Sequence, residues 1–164
     1  MTHRRNRSLN LSMLVLLLAL RAAGAAEDPA GAATDPHLKN PRAEKVLFLG
    51  NSITLHGPAE HIGWSGNWGM AASAAEKDYV HLLAERLRQA TGCEPQLLVR
   101  NVADFERQYA TYDLTTGLKD ALDFQADLII IAVGENVPAL ATEEQQAAYR
   151  TAFVNLLQTL SQRG

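Results

Sequence analysis

Two short blocks of this chain join residue types that can carry acyl transfer. Gly50-Asn51-Ser52-Ile53 follows four apolar residues, Val46 to Leu49, and Gly134-Glu135-Asn136 follows the apolar run Leu128 to Val133. A third polar cluster, Asn101-Val102-Ala103-Asp104, closes the run Leu97 to Val99. A serine hydroxyl is a nucleophile once a base activates it, and backbone N–H groups with an Asn amide are donors for an oxyanion. Ser52 sits in the first turn after a strand, where it can present Oγ to a substrate above a helix N-terminus. Its type fits equally well a helix N-cap and nothing more.

The elements that must position these groups can be read from periodicity. Val46–Leu49, Leu97–Val99 and Leu128–Val133 are short, uncharged runs bounded by turn residues, as buried strands are. Ser73-Ala-Ala-Glu76 has capping-box spacing and Asp78 is a second candidate N-cap; from there Tyr79, Leu82, Leu83, Leu87 and Ala90 repeat at helical spacing, and Gly92 ends the helix. Leu114, Leu118, Ala121 and Leu122 predict a further helix. Thr142-Glu-Glu-Gln145 caps another, with Tyr149, Ala152, Phe153, Leu156, Leu157 and Leu160 on one face. Alternating strands and helices predict right-handed crossovers and a parallel sheet covered on both faces. In such a sheet the three polar clusters lie side by side along one rim, at the carboxyl ends of the strands.

The segment His56 to Gly69 is a long connection that carries five Gly or Pro residues and two Trp. Loops of that length in a compact domain tend to be functional, and the Trp content argues against disorder. Trp64 and Trp68 form either a stacking wall for a sugar or acyl group or a hydrophobic plug that closes the loop.

With 164 residues the chain has room for one domain. A formal net charge of -3 and no basic stripe leave no electrostatic case for nucleic acid. The basic residues Arg4, Arg5 and Arg7 precede a Leu-rich run from Leu9 to Leu20 and then Ala22-Ala-Gly-Ala-Ala26. That is the layout of a secretory signal, residues 1–26, and its apolar run is too short to span a bilayer. The expectation is an exported protein with no stable membrane insertion after cleavage. Residues 27–42, rich in Ala, Pro, Gly and Asp, read as a linker into a domain over 43–164. The single Cys93 can form no disulfide within the chain and builds no thiolate zinc site. No metal or organic cofactor is implied.

Taken together, Gly50-Asn51-Ser52-Ile53 and Gly134-Glu135-Asn136 resemble the G-D-S-L and G-x-N-D blocks of the SGNH hydrolases, the GDSL-like lipases and esterases. Asn51 stands for the family's Asp in the first block, and Val137 for its Asp in the second. The resemblance extends over the order of elements from about Ala43 to Gly164. It implies a three-layer α/β/α fold of SGNH type with a parallel, flavodoxin-like sheet, three strands of it in this chain. It also implies that Ser52 is the nucleophile, and that the Ser52 N–H and the Asn136 amide are oxyanion donors. Ala103, or its neighbour Asp104, takes the place of the family's glycine donor. Asn51, Gly134 and Glu135, with Trp64 and Trp68, would line the substrate. The substrate expected is a small-molecule or carbohydrate ester, an acyl or acetyl group on a sugar above all.

The family's general base is a His preceded by Asp three residues earlier, beyond two further strands, whereas all five His here precede Gly134. The resemblance therefore leads us to expect a native product that continues past Gly164. One Asp-x-x-His does occur, Asp78-Tyr-Val-His81, on a helix face completed by Glu85 and Arg88 that reads as a solvated ionic face. His56 and His61, in the loop after Ser52, are the other candidate bases. The competing reading is a non-catalytic carbohydrate-binding module or pseudoenzyme of the same fold. An α/β-hydrolase is disfavoured because Thr54 replaces the last Gly of its Gly-x-Ser-x-Gly elbow, and a nucleotide-binding sheet because no Gly-x-Gly-x-x-Gly follows the first strand.

Overall fold

The computed structural model describes residues 43–162; the signal segment and linker predicted over 1–42 lie outside the described residues. Three strands form one open, all-parallel sheet: β1 (Lys45–Gly50), β2 (Gln96–Asn101) and β3 (Leu128–Ala132), in the order β2-β1-β3. That order is consistent with a flavodoxin-like layout. The register aligns Gly50 with Asn101 on one side and with Ala132 on the other, so the three strands end level.

The central position of β1 explains its unbroken apolar run, because it is covered on both faces and paired along both edges. Val46 and Phe48 pack on one face with Val80, Leu83 and Leu87 of α1 (Tyr79–Thr91). Leu47 and Leu49 pack on the opposite face with Leu118, with Ala121 and Leu122 of α4 (Lys119–Phe124), and with Leu156 and Leu160 of α5 (Glu143–Ser161). All four of these β1 side chains are fully buried, each contributing about 1.5–3 kcal/mol relative to an exposed side chain. Two further short helices, α2 (Ala103–Arg107) and α3 (Leu114–Gly117), complete the α4/α5 side. Among the described residues no helix is long and apolar enough to cross a membrane.

The caps decide where the helices begin. Asp78 caps α1, accepting from the His81 N–H at 2.8 Å, and Gly92 ends it with φ +72°. Ser73 is therefore not the cap; Ala75–Lys77 form only a single 3-10 turn ahead of Asp78. The buried stripe of α1 is also rotated from the predicted one: Val80 and Ala84 are buried, while Leu82 is 54% exposed. The one long helix predicted from Leu114 is two. Asp113 accepts from the Thr115 and Thr116 N–H groups to start α3, and Gly117 lies against the Tyr112 ring, where a Cβ would stand 2.4 Å from its Oη. The capping box of α5 is present as predicted, Thr142 and Gln145 each bonding the other's backbone.

Candidate active site

The exit of β1 is shaped by a glycine that has no substitute. A Cβ on Gly50 would lie 1.8 Å from Thr54 Oγ1 and 2.8 Å from the Ala132 carbonyl oxygen. The chain then turns tightly: Asn51 Oδ1 accepts from the Ile53 N–H at 3.0 Å, and the Asn51 carbonyl accepts from Thr54 N at 2.9 Å and Leu55 N at 3.0 Å. Asn51, not Ser52, thus does the local capping. Among the described residues no helix begins at Ser52, which corrects the expectation of a strand-to-helix turn; the next helical residues along the chain are the 3-10 turn Glu60–Ile62. Ser52 is half-buried, and its carbonyl accepts from Met70 N at 2.9 Å. Among the described residues its N–H and Oγ have no hydrogen-bond partner, so both are free for a ligand.

The exit of β3 supplies the amide. Gly134 has φ +143°, a conformation that favours glycine, and it turns the chain so that Glu135 and Asn136 fall beside the β1 turn. Asn51 Nδ2 donates to Glu135 Oε2 and, at 3.3 Å, to Glu106 Oε1. Asn136 Nδ2 donates to Glu106 Oε2 at 2.7 Å, and Arg107 Nη2 donates to Asn136 Oδ1 at 3.3 Å. The Gly50-Asn51-Ser52-Ile53 and Gly134-Glu135-Asn136 blocks are therefore joined by Glu106 of α2, the helix that follows β2.

Glu106 escaped the sequence reading. It has 0% exposure, and its carboxylate also accepts from the Gly134 and Asn136 N–H groups. Nothing local marks it: Asp104-Phe105-Glu106-Arg107 has the pattern of a solvated turn, and α2, at five residues, is too short to show a period. Its charge is felt by Tyr149 of α5. Burial, with the nearby Glu106 and Glu135 carboxylates, pushes that phenol up to about 12.

At the exit of β2, Asn101 Nδ2 donates to the Leu55 carbonyl at 2.8 Å, and Val102 N donates to the Gly50 carbonyl at 2.6 Å. These bonds tie the second rim to the first. Asn101 Oδ1 accepts from Ala103 N at 3.0 Å, so the Ala103 N–H, the expected third donor, is already committed.

The loop after Ser52 folds on its tryptophans. Trp64 and Trp68 meet edge to face at 5.3 Å, with the Trp64 Nε1–H on the His56 carbonyl (3.1 Å) and the Trp68 Nε1–H on the Ala72 carbonyl (3.0 Å). Both rings are half-buried, and Gly66 fits beneath them where a Cβ would lie 2.6 Å from the Trp64 ring. This geometry is that of a plug.

The Asp78–His81 pair is more than a surface pair. Asp78 is 3% exposed; Oδ1 accepts from the His81 N–H and pairs with His81 Nδ1 at 2.7 Å, while Oδ2 accepts from Gly69 N at 3.1 Å. Burial raises the Asp78 carboxyl, but the three donors and the His81 charge outweigh it and hold the group below its ordinary value. His81, with Glu85 and Arg88 bonded to each other at 2.7 Å, is exposed on the solvated face expected there, and only Asp78 is buried. His56 Nδ1 bonds the Gly57 carbonyl at 2.6 Å, and His61 is exposed. Among the described residues no histidine is hydrogen-bonded to Ser52 Oγ, and no three His, Cys, Asp or Glu side chains gather as metal ligands.

Fold and site together define a parallel α/β protein whose three strand exits converge on one polar rim. Compared with protein-family models, curated proteins and solved structures, the chain matches none.

Proposed function

We propose that this protein is an exported serine ester hydrolase of the SGNH type, acting on an acyl or acetyl ester, with a carbohydrate as the favoured alcohol. The observation that carries the reading is the convergence at the rim. Ser52 has a free Oγ and N–H, and its neighbour Asn51 shares the Glu106 carboxylate with an Asn136 amide whose orientation is fixed by an acceptor at its nitrogen and a donor at its oxygen. In this reading Ser52 Oγ attacks the ester carbonyl, and a general base takes its proton and returns it to the leaving alkoxide. The oxyanion accepts from the Ser52 N–H and from the second Asn136 Nδ2 hydrogen, since only one is spent on Glu106. Because the Ala103 N–H is committed, its neighbour Asp104 is the better choice for a third donor. Water then hydrolyses the acyl-serine by the same route in reverse. In the family that the two sequence blocks resemble, that base is a His preceded by Asp three residues earlier; among the described residues no histidine is bonded to Ser52 Oγ. In this reading the Trp64/Trp68 pair, half-buried in the loop that follows Ser52, supplies the apolar surface for the sugar.

The test is hydrolysis of p-nitrophenyl acetate and of acetylated oligosaccharides by the mature protein from its natural source, beside its Ser52→Ala variant. Loss of hydrolysis in the variant supports the reading. Equal rates in both, or none in either, would remove it and leave the non-catalytic binding module of the same fold. Asn136→Ala is expected to slow turnover roughly a hundredfold or more, the usual cost of losing one oxyanion donor, about 3 kcal/mol.

A further inference from the structure

A carboxylate with no exposure and no cationic partner is costly to keep, and a structure that keeps one must give it enough donors. Glu106 is such a group among the described residues: no Lys, Arg or His pairs with it, and its oxygens accept four N–H groups. None of the four comes from its own helix. One is the Asn51 amide of the β1 turn; the other three are Gly134 N, Asn136 N and the Asn136 amide of the β3 turn. The next residue, Arg107, grips the other end of the same Asn136 amide, donating to Oδ1 at 3.3 Å.

These two neighbours settle the amide's orientation by chemistry alone. A carboxylate can only accept and a guanidinium can only donate, so a flipped Asn136 would set oxygen against oxygen and nitrogen against nitrogen. The carboxylate also fixes the distance between the two turns, because Asn51 and Asn136 share its two oxygens.

We propose that Glu106 is the positioning residue of the oxyanion site. Without touching substrate, it holds the Asn136 amide with one N–H turned to the place where the oxyanion forms, and it ties that amide to the Ser52 turn through Asn51. This inference rests on the ester-hydrolase reading and adds to it the group that preorganises its donor. Preorganised donors act because their dipoles need not turn at the moment of reaction.

The test compares the parent with Glu106→Gln, Asn136→Ala and the double variant, using p-nitrophenyl acetate and the side-chain amide NMR resonances of Asn51 and Asn136. Glu106→Gln keeps the shape but offers an N–H to groups that are themselves donors. The expected result is a kcat lower by roughly tenfold to a hundredfold, with KM changed by less than about twofold. The double variant should be no slower than Asn136→Ala alone, since both act through one donor. The Asn136 amide resonances should move in the folded Glu106→Gln variant. If that variant does not fold, Glu106→Asp carries the same comparison, with charge kept and reach shortened. Unchanged Asn136 resonances, or fully additive kcat losses, overturn the proposal. Absence of Ser52-dependent hydrolysis in the parent overturns the ester-hydrolase reading and the kinetic half of the proposal with it. The resonances then decide the positioning by themselves.

Discussion

The contact between Glu106 and Asn136 can be tested by turning its sign. In Asn136→Asp, an atom that donates to Glu106 Oε2 across 2.7 Å becomes a carboxylate oxygen. Two unit charges at that distance repel by about 6 kcal/mol at an effective dielectric constant of about 20, and by about 1.5 kcal/mol in bulk water. Glu106 is fully buried and Asn136 half-buried, so the cost lies between these limits, with a lost charge-assisted hydrogen bond added. The pair relieves the repulsion by holding one proton, which raises a carboxyl above its unfolded value. A carboxyl raised on folding contributes stability below its unfolded pKa, and that contribution is lost as pH rises through the folded pKa. Unfolding by urea at about pH 8 should therefore show a large deficit for Asn136→Asp against the parent, and at about pH 5 much of it should be regained. Adding Glu106→Gln should restore stability at the higher pH, because the new amide can donate to the substituted carboxylate. A variant as stable as the parent at the higher pH, or a deficit that neither acid nor Glu106→Gln reduces, would refute the placement of Asn136 on Glu106.

Three other outcomes follow from the same geometry. Gly50→Ala has no room beside Thr54 and the Ala132 carbonyl, and should cost at least the roughly 1–3 kcal/mol typical of overpacking; an unchanged urea midpoint would show that the β1 exit is not packed as described. Asp78→Asn keeps a good N-cap but loses the charge bonded to His81 and Gly69, so about 1 kcal/mol should disappear at neutral pH. Since the Asp78 carboxyl is held below its ordinary 3.8, that advantage of the parent should fade as pH falls through the lowered pKa; a gap independent of pH would contradict it. Phenolate absorbance should place Tyr149 near 12 in the parent and lower in Glu106→Gln, where one of the two nearby charges is gone. No downward movement would mean that Glu106 does not face Tyr149.

Local patterning was enough for the scaffold. Unbroken apolar runs at Val46–Leu49 and Leu128–Val133, bounded by turn residues, read as strands that pack on both faces, and the Thr142–Gln145 box starts a helix through bonds made within four residues. The alternation of strands and helices then forces a parallel sheet whose polar exits share a rim, and the hydrogen bonds from Asn51 to Glu135 and from Asn101 to the Leu55 carbonyl run along that rim. Tertiary contact decided what lies between the exits. The N-cap of α1 went to Asp78, which also reaches Gly69 across the loop, and the apolar stripe turned to bury Val80 and Ala84 instead of Leu82. Ser52 lost its expected helix because Asn51 closes the turn through its own side chain and carbonyl. Glu106 could not be read at all: its partners lie 28 to 55 residues away, and a charge is buried only where distant donors assemble around it. Sequence periodicity records which face of an element is apolar. It carries no record of which distant N–H groups a single carboxylate will meet, and at this rim that meeting sets the orientation of the Asn136 amide.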